Sequence, residues 1–217
     1  WDDAIWAHWA GIRRVVLGGG LAAQPLGDLI AQGAQARLRA CGMDALRVEA
    51  SPWAEELALA GLARLGAGLR LLSDFGGTRL KLGWAEDGAQ GVARLTLHPP
   101  ALLGWDTRLA GEGHDEEQEG AIVADAMAAN LSAALQAHPD ASAALAISVA
   151  AYVRDGQPLL AQRGIYMRLA HLAGRAEDEI AARVTAQCGR QVRVKLVHDG
   201  SAAALADRKS TRLNSSH

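Results

Sequence analysis

The amino-acid sequence predicts an α/β fold built on a mixed five-stranded sheet with helices on its faces. Three observations carry that expectation. "LRLLSD", "RLKLGWAE" and "GVARLTLH" follow one another within residues 69–98 as apolar, partly alternating runs separated by turn residues, the pattern of a meander. From residue 116 onward, helical and strand periodicities alternate, as they do where helices connect strands of one sheet. Two of these runs also end in a carboxylate, Asp74 and Asp199, with glycine close behind each.

Before the meander, residues 12–66 read as strand, helix, strand, helix. "IRRVVLGGG" is a short β-rich run closed by three glycines. Pro25 suits a helix start, and "LGDLIAQGAQARLRACG" has apolar residues at helical spacing with Gly42 as its stop. "ALRVEA" is a short strand. "SPWAEELALAGLARLG" then reads as a helix, with Ser51 at the N-cap, Pro52 at the first helical position, and Glu55 and Glu56 in the first turn. The pattern changes at Gly66 to Gly68, which divides the chain into residues 1–67 and 68–207. His98-Pro99-Pro100 ends the meander. A loop through "GWDTRLAGEGHDEEQEG" leads to a long helix, Glu116 to Ala137, that stops before His138-Pro139. "AALAISVAAYV" is a buried strand with a weaker end at Arg154-Asp155-Gly156. "RAEDEIAARVTAQCG" is an amphipathic helix, "QVRVKLVHD" a strand, and "GSAAALA" the start of another helix.

Composition excludes several classes of function. The 217 residues are 50% hydrophobic and 21% charged, with a formal net charge of −2. No basic excess points to nucleic acid and no acidic excess to disorder. Cys41 and Cys188 lie far apart without CxxC spacing, which excludes a disulfide framework and a cysteine-based zinc cluster, so a reducing cytoplasm is the default. No apolar run reaches the roughly 18 residues of a membrane span, and no signal peptide precedes the first strand. The chain begins at Trp1 and ends in "RKSTRLNSSH", a polar string without an apolar period that resembles a translated sequencing-adapter tail. Residues 208–217 are therefore set outside the fold as a non-native tail, a disordered terminus being the other reading, and the chain is expected to be a fragment. Trp1, Trp6 and Trp9 stand at helical spacing and suit a packed helix face. "GEGHDEEQEG" reads as a solvated loop entering a helix N-terminus rather than a metal site, and Cys188 as inert.

Three constellations could carry chemistry. In "DFGGT", Gly76-Gly77 can be a plain hairpin turn. It can equally admit a phosphate chain to the backbone N–H groups, with Thr78 adding a hydroxyl and Asp74 holding hydrated Mg²⁺. In "VKLVHDGSAAALA", a buried strand delivers His198 and Asp199 to its carboxyl end. There Asp199 can be a helix N-cap or a general base. In "VVLGGGLAA", Gly18, Gly20 and Ala23 fit G-x-G-x-x-[G/A]. Pro25 puts the helix start too late for a dinucleotide fingerprint, and no acidic residue ends a second strand about 20 positions on. A glycine turn that receives a nucleobase or ribose is the functional reading, and a strand–helix loop the structural one.

Together these pieces resemble the sugar-kinase branch of the actin/hexokinase/Hsp70 ATPase superfamily, in particular the ROK (repressor, open reading frame, kinase) group and bacterial glucokinases. "DFGGTRLKLGWAEDG" is similar to the family's phosphate-1 hairpin, D-[IF]-G-G-T-x-x-[KR]. "VRVKLVHDGSAAALA" is similar to connect-1, N-D-x-N-x-A-A-L, and "VVLGGGLA" with "VEASPWAEELALAGLARLG" to the adenosine segment. The resemblance covers nearly all of residues 12–206. It implies a ribonuclease-H-like actin/hexokinase ATPase fold, here incomplete, and ATP-dependent phosphorylation of a sugar hydroxyl in the cytoplasm. Asp199 would be the catalytic base, and Asp74 would position Mg²⁺, through water. Gly76, Gly77 and Thr78 would hold the phosphates of ATP, and Gly18, Gly19 and Gly20 would line the nucleotide pocket. His198 and Ser201 stand where the family has asparagines that touch sugar hydroxyls, which leaves the sugar open. The segment "QRGIYMRLAHLAG" also lacks the expected asparagine-bearing loop.

The motif order departs from the family, because the adenosine-like piece precedes phosphate-1. Either residues 1–67 end one kinase-like lobe and residues 68–207 begin a second in tandem, or the domain is circularly permuted. The phosphate-2 segment that follows connect-1 in the family is not in this sequence. A small-molecule sugar is the implied partner, without nucleic acid or membrane, and a homodimer is left open. The alternative function is a non-catalytic, sugar-sensing transcriptional regulator on the same fold.

Overall fold

The structure is a computed structural model and describes residues 11–66, 68–88, 91–99, 101–103, 115–160 and 164–213. The three tryptophans at the start and the segment "GWDTRLAGEGH" lie outside the described residues. Contacts divide the chain into two compact units, Trp1–Leu57 and Ala58–His217.

The first unit pairs β1 (Arg14–Leu17) in parallel with β2 (Arg47–Ala50), with α1 (Leu26–Ala40) between them in the chain. Gln35 ties helix to strand: its Nε2 donates to Leu46 O at 2.8 Å, and its Oε1 accepts from Val48 N–H at 2.8 Å. Gly42, at φ 77°, ends the helix in the left-handed region that glycine adopts without steric cost. The expected helix from Ser51 is corrected. Ser51 Oγ accepts from Trp53 N–H at 3.1 Å, a local turn rather than a helix cap, and Ala54 sits at φ 43°. A 3-10 turn, Ala54–Glu56, therefore takes up the first positions, and α2 runs only Leu57–Leu62.

The second unit holds a mixed sheet formed by β3 (Arg70–Phe75), β4 (Arg79–Gly88), β5 (Gly91–Leu97), β7 (Ala144–Val149) and β10 (Arg193–His198), in the spatial order β10-β7-β3-β4-β5. β3, β4 and β5 are antiparallel neighbours, while β7 and β10 run parallel to β3. That meander, extended by two parallel strands, is the ribonuclease-H-like arrangement the resemblance implied. The five expected strands are joined by a two-residue addition, β6 (Ala101–Leu102), on the Arg79–Leu80 end of β4. β5 pairs only with Gly83–Gly88, so the chain can fold back beyond the prolines onto the uncovered end.

Between the strands run α3 (Glu116–Ala137), a short hairpin β8 (Val153–Arg154) and β9 (Gln157–Pro158), a 3-10 segment Ile165–His171, and α4 (Ala176–Cys188). α3 opens with a capping box in which the Asp115 carboxylate accepts from Gln118 N–H at 2.8 Å. The weak strand end foreseen at Arg154-Asp155-Gly156 is this hairpin, turned by Asp155 and Gly156 at positive φ. α5 (Asp199–Leu213) extends into the polar ending that sequence reasoning set outside the fold. No glycine or proline stops the helix there.

Strand alternation puts Leu71 and Phe75 on one sheet face, packed with Met127, Leu131, Ile147 and Tyr166. Leu72 lies on the other, with Leu59, Leu62, Ala146 and Ala202. The small residues of α5 have a packing cause, since a Cβ on Gly61 would meet Ala202 O at 1.7 Å. Arg70 is buried at the start of β3, where its guanidinium donates to Ala63 O at 2.6 Å, Gly68 O at 2.7 Å and Asp87 Oδ1 at 2.8 Å. That pairing, with the Gly68 N–H, holds the Asp87 carboxyl below the usual range.

Candidate active site at the carboxyl ends of three parallel strands

Because β3, β7 and β10 are parallel, their carboxyl ends share one edge of the sheet, where ligands of open α/β sheets collect. Asp74 stands near the end of β3 on the face of Leu72, with its side chain 13% exposed. Ser148, its register partner on β7, donates Oγ–H to Asp74 Oδ1 at 2.9 Å. Lys81, opposite Asp74 on β4, brings Nζ to 3.7 Å from Oδ2. Burial pushes the Asp74 carboxyl up from the ordinary range. The Ser148 hydroxyl and Lys81 ammonium pull it back, and the charge of Asp199 pushes it up again. The charge of Asp199 thus reaches Asp74, although the two are far apart in sequence.

Asp199 begins α5 and keeps its side chain about half exposed. Gly200 N–H donates to Asp199 Oδ1 at 2.6 Å, and His198 Nε2 lies 3.0 Å from the same oxygen. The carboxylate is thus oriented by the residues on either side of it, with both contacts on Oδ1. His198 in turn stacks on Tyr152, with ring centroids 4.4 Å apart and planes at 26°. Ser201 is exposed on the same helix, two residues on and so about 200° around from Asp199.

The two glycines of "DFGGT" differ. Gly76 N–H donates to Arg79 O at 2.9 Å, closing the hairpin, and a Cβ there would lie 3.1 Å from that carbonyl. Closure of the turn explains Gly76. Gly77 is not at positive φ, and a Cβ on it would meet no atom of the described residues within 4 Å. Neither backbone conformation nor packing demands glycine there. Thr78 is exposed beside it, and its carbonyl accepts from Leu103 N–H at 3.1 Å. From beneath, the buried Tyr166 donates its hydroxyl to Gly76 O at 2.6 Å, so the "QRGIYMRLAHLAG" segment supports the hairpin.

Gly18, Gly19 and Gly20 belong to the first unit. A Cβ on Gly18 would lie 2.6 Å from Leu57 Cδ2, and Gly19 has φ 90° with its N–H on Ala54 O at 3.0 Å. Gly20 opens a 3-10 turn, Gly20–Ala22, so the helix begins only after Pro25, as the sequence implied.

Sequence reasoning named Asp74, His198 and Asp199 but missed Lys81, Ser148, Tyr152 and Tyr166. Lys81 was within reach: a hairpin closed at Gly76 and Arg79 places residue 81 opposite residue 74. Ser148 and the two tyrosines needed the pairing of distant segments.

No protein-family model matches the chain, and no curated protein does. Among solved structures, an Aquifex aeolicus member of the Ppx/GppA family is 12% identical over 59% of this chain and 35% of its own, at a TM-score of 0.31. An exopolyphosphatase-like protein is 14% identical over 91% and 76%, at 0.37. The yeast mitochondrial Holliday junction resolvase is 12% identical over 85% and 72%, at 0.34. The chain spans about a third of the length of the first of these. Its place in the ribonuclease-H-like class is read from its own strand order and directions.

Proposed function

We propose that this chain carries part of an Mg²⁺- and ATP-dependent phosphotransferase that acts on a sugar hydroxyl. The observation that carries the reading is a half-buried carboxylate, Asp74, within reach of the Asp199 charge and three residues before Gly77, a glycine that no contact among the described residues requires. Glycine N–H groups suit phosphate oxygens, and a Cβ at Gly77 would stand in their way.

The donor set fits magnesium. Mg²⁺ on a nucleotide needs one or two carboxylates, with phosphate oxygens and water completing its shell. Among the described residues no group of three or more acidic, histidine or cysteine side chains forms a dedicated cage. Asp74 would hold the ion, which when bound supplies positive charge against the transferring phosphoryl group. Asp199 Oδ1 is fixed by Gly200 N–H and His198, which leaves Oδ2 to accept the proton of the attacking hydroxyl.

The test is ADP release with Mg²⁺ and a panel of sugars. Asp199→Asn should lower sugar-dependent turnover by about 10²–10⁴-fold with the melting temperature unchanged. Unaltered turnover would remove Asp199 as the base. A second reading, a non-catalytic sugar sensor, draws support from the Lys81 ammonium lying 3.7 Å from Asp74 Oδ2, where an internal cation can take the place of a metal. Sugar binding without Mg²⁺-dependent nucleotide binding would favour it.

A further inference from the structure

The candidate site gathers at the carboxyl ends of β3, β7 and β10. Toward the other end of the sheet, two histidines from distant parts of the chain come together beside Trp84, the register partner of Leu71 near the start of β3. His98 follows β5, and its N–H donates to Leu82 O at 2.9 Å, so β4 holds its backbone. His138 closes α3, with its N–H on Leu135 O at 3.2 Å and its carbonyl accepting from Ala141 N–H at 3.1 Å. Each histidine precedes a proline, which restricts the backbone before it. Two anchored backbones thus carry the pair, and their imidazole centres lie 6.2 Å apart with planes at 72°.

The His138 ring packs on the buried Trp84, with centroids 4.2 Å apart, while His98 is exposed. That packing orients the imidazole without occupying its nitrogens, since Trp84 Nε1 has no hydrogen-bond partner among the described residues. No hydrogen bond or ion pair among the described residues engages either histidine side chain. Imidazole nitrogen suits Zn²⁺, Cu²⁺ and Ni²⁺, whereas Mg²⁺ takes oxygen ligands. Metal–nitrogen bonds of about 2.0–2.1 Å set two rings on one ion about 5–6.3 Å apart, from tetrahedral to linear. The observed separation falls at the wide end of that span, and the exposed His98 narrows the angle by turning about its side-chain bonds.

We propose that His98 and His138 form a two-imidazole site for a divalent transition ion, which ties the end of β5 to the end of α3. Among the described residues no group of three or more histidine, cysteine or acidic side chains surrounds an ion, so water or a solute completes the shell. The site is independent of the phosphotransferase reading and of the Mg²⁺ expected at Asp74.

The test is calorimetric titration of the chelator-treated chain with Zn²⁺, and thermal melting with and without the ion. The unaltered protein should bind Zn²⁺ and melt at a higher temperature in its presence, because an ion held only by the folded chain stabilises it. His98→Asn and His138→Asn should each weaken binding by about 10-fold or more and lose the shift. His171→Asn, which removes a histidine paired with Glu116 instead, should retain both, and excess Mg²⁺ should not displace Zn²⁺. His98→Asn is the deciding variant, since its exposed position should leave the metal-free melting temperature unchanged. The inference is overturned if the unaltered protein does not bind Zn²⁺, if His98→Asn binds it as tightly as the parent, or if His171→Asn loses as much affinity.

Discussion

Among the described residues, two glycine-rich turns each follow a β-strand, and they use glycine for different reasons. In the Gly18–Gly20 turn, the fold accounts for the first two glycines: Leu57 occupies the space of a Gly18 side chain, and Gly19 lies at φ 90°. In the Gly76–Gly77 turn, hairpin closure accounts for Gly76, and nothing among the described residues accounts for Gly77. The second turn also follows a half-buried carboxylate, Asp74. A glycine motif points to a ligand where conformation and packing do not already demand it.

Substitutions can break this contrast. The largest expected effect is at a glycine of purely structural use: Gly61→Ala drives a Cβ into Ala202 O and should cost about 3 kcal/mol by chemical denaturation. A loss below about 0.5 kcal/mol would show that α2 and α5 do not pack at backbone contact. Gly19→Ala should cost about 2 kcal/mol, because φ 90° with ψ 174° is a conformation that glycine alone adopts readily. Stability equal to the parent would undo the structural account of that turn.

Much of the fold was legible because it rests on local patterns. The bounds of α3 follow from the acidic opening and from His138-Pro139, and the β3–β4–β5 meander from the apolar runs and their turns. The helix expected at Ser51 was not legible. Ser51-Pro52 followed by two glutamates looks like a helix start, whereas the serine hydroxyl bonds to Trp53 N–H and forms a turn. The site was legible at its two aspartates, each at a strand end, and not at Ser148 or Tyr166. These come from segments whose approach to residues 74–76 is decided by the parallel pairing of β7 with β3 and by core packing.

The smallest effect sharpens the functional half of the contrast. The raised pKa of Asp74 means that the folded protein favours the protonated acid. That stabilisation is complete below the ordinary carboxylate range and is lost as pH rises through the raised value. Asp74→Asn keeps an acceptor for Ser148 and removes the buried charge, so it should gain stability relative to the parent between pH 4 and neutrality, and the gap should widen with pH. A gap that is flat or narrows across parallel denaturation curves would contradict the burial account.

The most direct test of the central claim is Mg·ADP affinity measured in the unaltered protein and in Gly77→Ala, with the melting temperature of both. The account predicts Mg²⁺-dependent binding that weakens by about 10-fold or more in the variant, because a Cβ stands where phosphate approaches. It also predicts stability within about 0.5 kcal/mol of the parent, since the position has room and no left-handed strain. Equal affinity in the two proteins, or a loss of stability that accounts for any weakening, would contradict it.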